Sequence, residues 1–267
     1  MITDHFLVTD QVAIVTGAGR GIGRATALAL AEAGADLVIS ARTTEQLDEV
    51  AALIEGFGRR VVSVPADLSD LSTLPGLVDT AVSEFGQLDI VVNNVGGSFP
   101  RPLLETSSAM FEKAFHFNVT TALELSKAAI PAMLDDSLSG TPGGSIVNIS
   151  SVIGRLTDRG FAAYGTAKAA LSHLTRLMAV DCAPRIRVNA IGVGSTATSA
   201  LEMVLTNDEL RTSMEDNTPL RRLGQPLDIA LGVLYLCSPA GSYLTGKILE
   251  IDGGLNAPSL ALGLPDL

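Results

Sequence analysis

The sequence predicts an α/β protein: a doubly wound, mostly parallel seven-stranded sheet with helices on both faces, in a single domain over residues 1–267. Three observations carry that prediction. Seven short apolar runs alternate with helix-length amphipathic stretches. The first run stops at a glycine-rich loop that opens a helix. No internal linker, repeat or low-complexity stretch interrupts the alternation.

Gln11 to Thr16 is the first apolar run, ended by Gly17-Ala18-Gly19-Arg20-Gly21-Ile22-Gly23, and an alanine-rich helical pattern follows to Ala33. Glycines admit positive φ and let a ligand approach the backbone, while the helix start presents unpaired N–H groups and the positive end of its dipole. A pyrophosphate suits that corner. The spacing Gly-x-x-x-Gly-x-Gly departs from the usual Gly-x-Gly-x-x-Gly fingerprint but keeps its mechanics, and read alone it is also a tight turn.

Asp36 to Ala41 is the second strand, Thr44 to Phe57 a helix and Arg60 to Ala66 the third strand, which completes βαβαβ. An NAD site carries an acid about 20 residues beyond the glycines, at the end of the second strand. Here that end reads Ser40-Ala41-Arg42, and Asp36 lies at the strand's opposite end. Arg42 with Arg20 suits a 2′-phosphate through charge-assisted hydrogen bonds, so NADP(H) is the expected cofactor and NAD(H) the alternative. Two solvated arginines are the bland reading of the same residues.

Asp67-Leu68-Ser69-Asp70 ends the third strand, with Asp67 placed to face an adenine amino group and Asp70 to cap a helix running to Phe85. Leu88 to Val92 is the fourth strand and breaks at Asn93-Asn94-Val95-Gly96-Gly97, on the carboxyl edge where such sheets bind ligands. A long helix from about Ser107 to Met133 carries Asn118 in its interior. Asparagine competes there with the helix backbone, and exposure on the polar face is the simplest reason for it.

After a polar loop at 138–144, Ser145 to Ile149 is the fifth strand, ending in Ser150-Ser151. A second long helix, from about Phe161 to Asp181, carries Tyr164 and Lys168 four apart on one face. An ammonium beside a phenol lowers the phenol pKa from about 10 toward neutrality. Arg187 to Ile191 is the sixth strand, and the less regular stretch 192–225, rich in Thr, Ser and small residues, is expected to form a substrate lid. Pro226 to Cys237 is a helix opened by proline, Gly246 to Ile251 the last strand, and the stretch on to Leu267 shows no pattern.

Composition narrows the partners. A formal net charge of −11 without any Lys/Arg run argues against nucleic acid or an anionic membrane, and favours a small molecule. Cys182 and Cys237 stand far apart, and His5, His116 and His173 form no ligand cluster, so reduced thiols and no metal are expected. No apolar run reaches the roughly 18 to 20 residues of a membrane span, and Met1 to Asp10 lacks a signal pattern. The expectation is a soluble, cytoplasmic protein.

Thr16-Gly17-x-x-x-Gly21-Ile22-Gly23, Asp67, Asn93-Asn94-x-Gly96, Asn118, Ser151, Tyr164-x-x-x-Lys168 and Asn189, in this order and spacing, resemble the classical short-chain dehydrogenase/reductase family over nearly the whole chain. Thr218 to Pro226 and Leu236 to Pro239 also look like its bacterial 7α-hydroxysteroid dehydrogenase branch. The resemblance implies a Rossmann-type fold and hydride transfer between NADP(H) or NAD(H) and a carbonyl or secondary alcohol. Tyr164 would be the general acid/base, Lys168 would bind the nicotinamide ribose, Ser151 would hold the substrate oxygen, and Asn118 would hold a water linked to Lys168. It places Gly17, Gly19, Arg20, Gly21, Ile22, Gly23, Arg42, Asp67, Leu68, Asn94, Gly96, Tyr164, Lys168, Thr196 and Thr198 around the cofactor, and implies a homotetramer or homodimer.

Two departures stand out. Val95 occupies a place where the family has alanine, and Val193-Gly194-Ser195 replaces its Pro-Gly before Thr196 and Thr198, which frees φ there. The rival readings are a cofactor-binding regulator or structural subunit without turnover, and a sugar epimerase or methyltransferase on a similar sheet. A non-catalytic protein has no physical need for the full Ser/Tyr/Lys/Asn set, and the compact length leaves no separate substrate domain.

Overall fold

The computed structural model describes residues 1–138 and 143–260, so the middle of the expected 138–144 loop and the stretch 261–267 lie outside the described residues. Seven strands run β1 (Val12–Thr16), β2 (Asp36–Ala41), β3 (Val61–Pro65), β4 (Ile90–Asn93), β5 (Gly144–Ser151), β6 (Ile186–Val193) and β7 (Ile248–Ile251). They form one sheet in the order β3-β2-β1-β4-β5-β6-β7. Every pairing is parallel, so the expected "mostly parallel" becomes wholly parallel.

The helices are α1 (Gly21–Glu32), α2 (Thr44–Gly56), α3 (Leu74–Phe85), α4 (Ser108–Phe115), α5 (Thr121–Leu134), α6 (Ala162–Cys182), α7 (Glu202–Leu205), α8 (Asp208–Asp216) and α9 (Pro226–Cys237). The strands are apolar at nearly every position because both faces are covered. Alternate residues divide between two cores. Ala13, Val15, Leu37, Ile39, Val92 and Val147 pack with Leu30 of α1, Val50 of α2 and Val233 of α9. Ile14, Val38, Val91, Ile146 and Val188 pack on the other face with Leu77 of α3, Leu125 and Met133 of α5, and Met178 of α6.

Two elements differ from expectation. The stretch from Ser107 to Met133 is not one regular helix: a π-helical turn, His116–Thr120, separates α4 from α5. The Thr121 hydroxyl donates to the His116 and Phe117 carbonyls at 2.8 and 3.0 Å, which satisfies acceptors that the irregular turn loosens. The 192–225 stretch holds two short helices where no pattern is predicted. Asn207 starts α8 by accepting from the Glu209 and Leu210 N–H groups, a cap followed by acids that local reading can detect.

Candidate active site

All carboxyl ends of a parallel sheet lie on one edge, and the predicted residues gather there. On β1, the Thr16 hydroxyl donates to Val92 O (3.1 Å) and accepts from the Asn94 and Val95 N–H groups (2.9 and 3.2 Å), which ties β1 to β4. Asn94 Nδ2 reaches back to Thr16 O (2.8 Å) and Gly17 O (3.3 Å), so its carboxamide supports the glycine loop from beneath. A Cβ on Gly23 would fall 2.2 Å from Gly17 O, so only glycine lets the helix start close on the loop. Arg20 is the N-cap of α1 and forms no side-chain cap, so the first-turn N–H groups are left for an anion. Ile22 is half-buried beside them and packs on the core.

The outer rim of this corner carries two arginines and an aspartate. Arg20 and Arg42 are exposed. Asp36 sits at the far end of β2, paired with Arg59 (2.9 Å) and Arg60 (2.6 Å), so it has no part in the corner. Asp67 is exposed, and hydrogen bonds from the Ser69 N–H and hydroxyl hold its carboxyl below the usual range and ionised. Leu68 beside it is buried. His116 joins this loop to the π-helical turn through Nε2 and Ser69 O, 2.7 Å apart.

Four groups converge between β4, β5 and α6. Asn118 is 1% exposed and lies in the π-helical turn, which rules out the bland reading of an exposed polar face. Its Nδ2 donates to Gly97 O (3.0 Å) and Ala114 O (2.8 Å), and its Oδ1 accepts from Gly97 N–H (2.9 Å). Lys168 is 3% exposed, its Nζ donating to Ile149 O at 2.8 Å and lying 5.7 Å from the Tyr164 ring centroid. Gly96 fits between them, since a Cβ there would fall 2.7 Å from Asn118 Oδ1 and 2.8 Å from Lys168 Nζ. The Ser151 hydroxyl accepts from Ile153 N–H at 3.3 Å, reaches Val193 O at 3.5 Å, and acts to lower the pKa of the Tyr164 phenol.

The electrostatics correct one expectation. Burial pushes the Tyr164 phenol above its ordinary pKa, outweighing the Ser151 hydrogen bond, so in the chain alone Lys168 does not bring it down. Burial in turn lowers Lys168 to about 8. Thr198 lies over the glycine loop, its Cγ2 3.4 Å from where a Cβ on Gly21 would sit. Thr196 is buried, turns its hydroxyl to Gly194 O (3.2 Å), and is bridged to Gly224.

Several supporting contacts escaped the sequence reading, and with them Gly154, Ser126, Asn148 and Thr175. Gly154 lets the turn after Ser151 approach α6, for a Cβ there would meet Lys168 C and Ala169 N at 2.9 Å. Ser150 Oγ donates to Lys168 O (3.0 Å). A buried chain of Asn93, Asn148 and Thr175, with Ser126 bonded to Asn93, ties β4 and β5 to α5 and α6. Polar residues inside otherwise apolar strands were the available signal for that chain.

A short-chain dehydrogenase/reductase family model, described as enoyl-(acyl carrier protein) reductase, matches residues 17–256. The chain is a short-chain dehydrogenase/reductase. Within that oxidoreductase family it is 58% identical, over 100% of both chains, to an uncharacterized oxidoreductase of Mycobacterium tuberculosis (strain CDC 1551 / Oshkosh). It is 38% identical to the 7α-hydroxysteroid dehydrogenase of Escherichia coli (strain K12), over 94% of this chain and 96% of that one. A solved structure of a 7α-hydroxysteroid dehydrogenase complexed with NADH and 7-oxo glycochenodeoxycholic acid superposes with a TM-score of 0.88 at 38% identity, covering 94% of this chain and 96% of that one.

Proposed function

We propose that this short-chain dehydrogenase/reductase reduces a small-molecule ketone or oxidises the matching secondary alcohol with NADP(H). The observation that carries the reading is the convergence of Ser151, Tyr164, Lys168 and Asn118 beside Gly96. The glycine corner fits a dinucleotide: the uncapped start of α1 offers donors to a pyrophosphate, and Gly23 permits a closeness that a Cβ would block. When bound, the nicotinamide supplies or accepts the hydride.

The chain's own residues handle position and protons. Tyr164, kept in its acid form near neutrality, gives its proton to the oxygen of a carbonyl under reduction, and takes it back in the other direction. Ser151 hydrogen-bonds that oxygen, and Lys168 holds the nicotinamide ribose. Asn118 has both Nδ2 hydrogens engaged, so a water linked to Lys168 would sit on its main-chain carbonyl or the remaining lone pair of Oδ1. Asp67, which is ionised, would accept from an adenine amino group with Leu68 beside it, and Thr196 and Thr198 would hold the nicotinamide end. The 192–225 stretch, with α7 and α8, forms the lid.

Arg20 and Arg42, with Ala41 rather than an acid at the end of β2, favour NADP(H) over NAD(H). Fluorescence titration is expected to show NADPH bound more tightly than NADH, and Arg42→Ala to lose about 10- to 100-fold in NADPH affinity with little change for NADH. Equal loss for both cofactors, or NADH preference in the wild type, would reject the assignment. Activity then follows from a screen of ketones and secondary alcohols with the preferred cofactor.

Exposed apolar residues on α6 (Leu177, Val180) and on α9 (Leu227, Leu231) supply two separate surfaces, which supports a homotetramer over a homodimer. Sedimentation at micromolar concentration is expected to give a tetramer, and a monomer alone would contradict this. The acting compartment is taken as the cytoplasm, in keeping with no described helix being long and apolar enough to cross a membrane.

A further inference from the structure

The stretch after β7 touches both walls of the site. On one side, Leu255 packs with Val152 and Leu156, just after Ser151. Arg155 in the same turn pairs with Glu250 (Nε–Oε1 2.7 Å) and Asp252 (3.4 Å) and donates to Leu255 O (3.1 Å). On the other side, Leu220 N–H donates to Gly253 O at 3.1 Å, and Gly253 and Gly254 lie against Thr218 and Pro219. Ser259 goes further: only 4% exposed, it shares a hydroxyl–hydroxyl hydrogen bond of 2.7 Å with Ser195, and its carbonyl accepts from Asn217 Nδ2 at 3.1 Å. Leu260 packs with Val204, Met214 and Leu223, the apolar core of the 192–225 stretch.

Ser195 precedes Thr196 in the run where valine stands for the family's proline, so φ there is not fixed by a ring. The same run is held at its other side by backbone bonds to Gly224, with Ala197 N–H donating to Gly224 O (2.8 Å) and Gly224 N–H to Ser195 O (2.9 Å). We propose that residues 252–260 strap the lid to the Ser151 turn, and that Ser259, acting through Ser195, is a positioning residue for the Thr196–Thr198 run. This rests on the reading that the run faces the nicotinamide.

The test compares Ser259→Ala, Ser195→Ala and the double variant in the full chain, with Ser259→Thr as the conservative control. Trypsin cleavage after the exposed Arg211 of α8 reads lid opening without cofactor. Each single variant is expected to speed cleavage about three- to tenfold, the double variant by no more than either single, and Ser259→Thr to restore the wild-type rate. NADPH Kd and cofactor KM are expected to rise by the same factor, with kcat changed less than about twofold, because the held run is a smaller fraction of the population. Unchanged cleavage in Ser259→Ala, or additive single effects, would overturn the strap. Faster cleavage with unchanged Kd would overturn the positioning role. A wild-type chain that binds neither NADPH nor NADH would overturn the cofactor reading beneath it, and the cofactor-free cleavage rates would still decide the strap.

Discussion

Tyr164→Phe is expected to lower turnover by about 10²- to 10⁴-fold while leaving NADPH affinity within about twofold. The substitution removes one hydroxyl and no ring contact, so the 6.2 Å packing of this ring against Phe161 persists. Ser151 keeps its acceptor role toward Ile153 N–H, which leaves the turn after β5 intact. What disappears is the proton donor. The loss in kcat/KM is expected to be equal for carbonyl reduction and alcohol oxidation, because the overall equilibrium is unchanged. Steady-state turnover beside a fluorescence titration separates the two effects, and a variant turning over within tenfold of the wild type would remove Tyr164 from the mechanism.

Lys168→Met is expected to abolish measurable turnover and yet leave the cofactor-free chain at least as stable at pH 7. Among the described residues the buried ammonium has one hydrogen-bond acceptor, the Ile149 carbonyl, and no carboxylate partner. Its pKa falls from the ordinary 10.5 to about 8. Between those values the unfolded chain binds more protons than the folded one, so this residue makes stability rise with pH across that window. Below pH 8 the buried charge weighs against the fold by an amount on the order of 3 kcal/mol. Orphaning the Ile149 carbonyl offsets roughly 1 to 3 kcal/mol of the gain from removing it. Urea unfolding at pH 7 and pH 10 checks this: the variant's advantage over wild type should shrink at the higher pH. A loss of several kcal/mol at pH 7 would mean that Lys168 stabilises the fold.

The sheet was legible because a strand covered on both faces leaves an unbroken apolar run, and the Gly17 to Gly23 loop marked where the first one stops. Tyr164 and Lys168 were legible for a similar reason, since their spacing on a helix is a local property. Asn118 was assigned to the site by resemblance alone, because helical periodicity by itself offered only the bland reading of an exposed polar face. Its orientation depends on the π-helical turn, which Thr121 supports by bonding two carbonyls, and no periodicity reports such a bond. The spacing of Tyr164 and Lys168 is local, whereas the burial that raises the phenol pKa in the cofactor-free chain depends on everything packed around the pair. Ser259 was invisible because its partner lies 64 residues away.

The π-helical turn at His116–Thr120 acts as a change of phase. One residue of α-helix corresponds to about 100° of rotation about the axis. Upstream of the turn, α4 buries Ala114; downstream, α5 buries Ala122, Leu125, Ala129 and Met133 on a stripe of its own. The inserted residue lets a single rod present the Asn118 carboxamide to Gly97 and still lay that stripe flat on the sheet. A regular helix of the same length would have to choose between them, so site and core here were reconciled by the count of residues rather than by their kind.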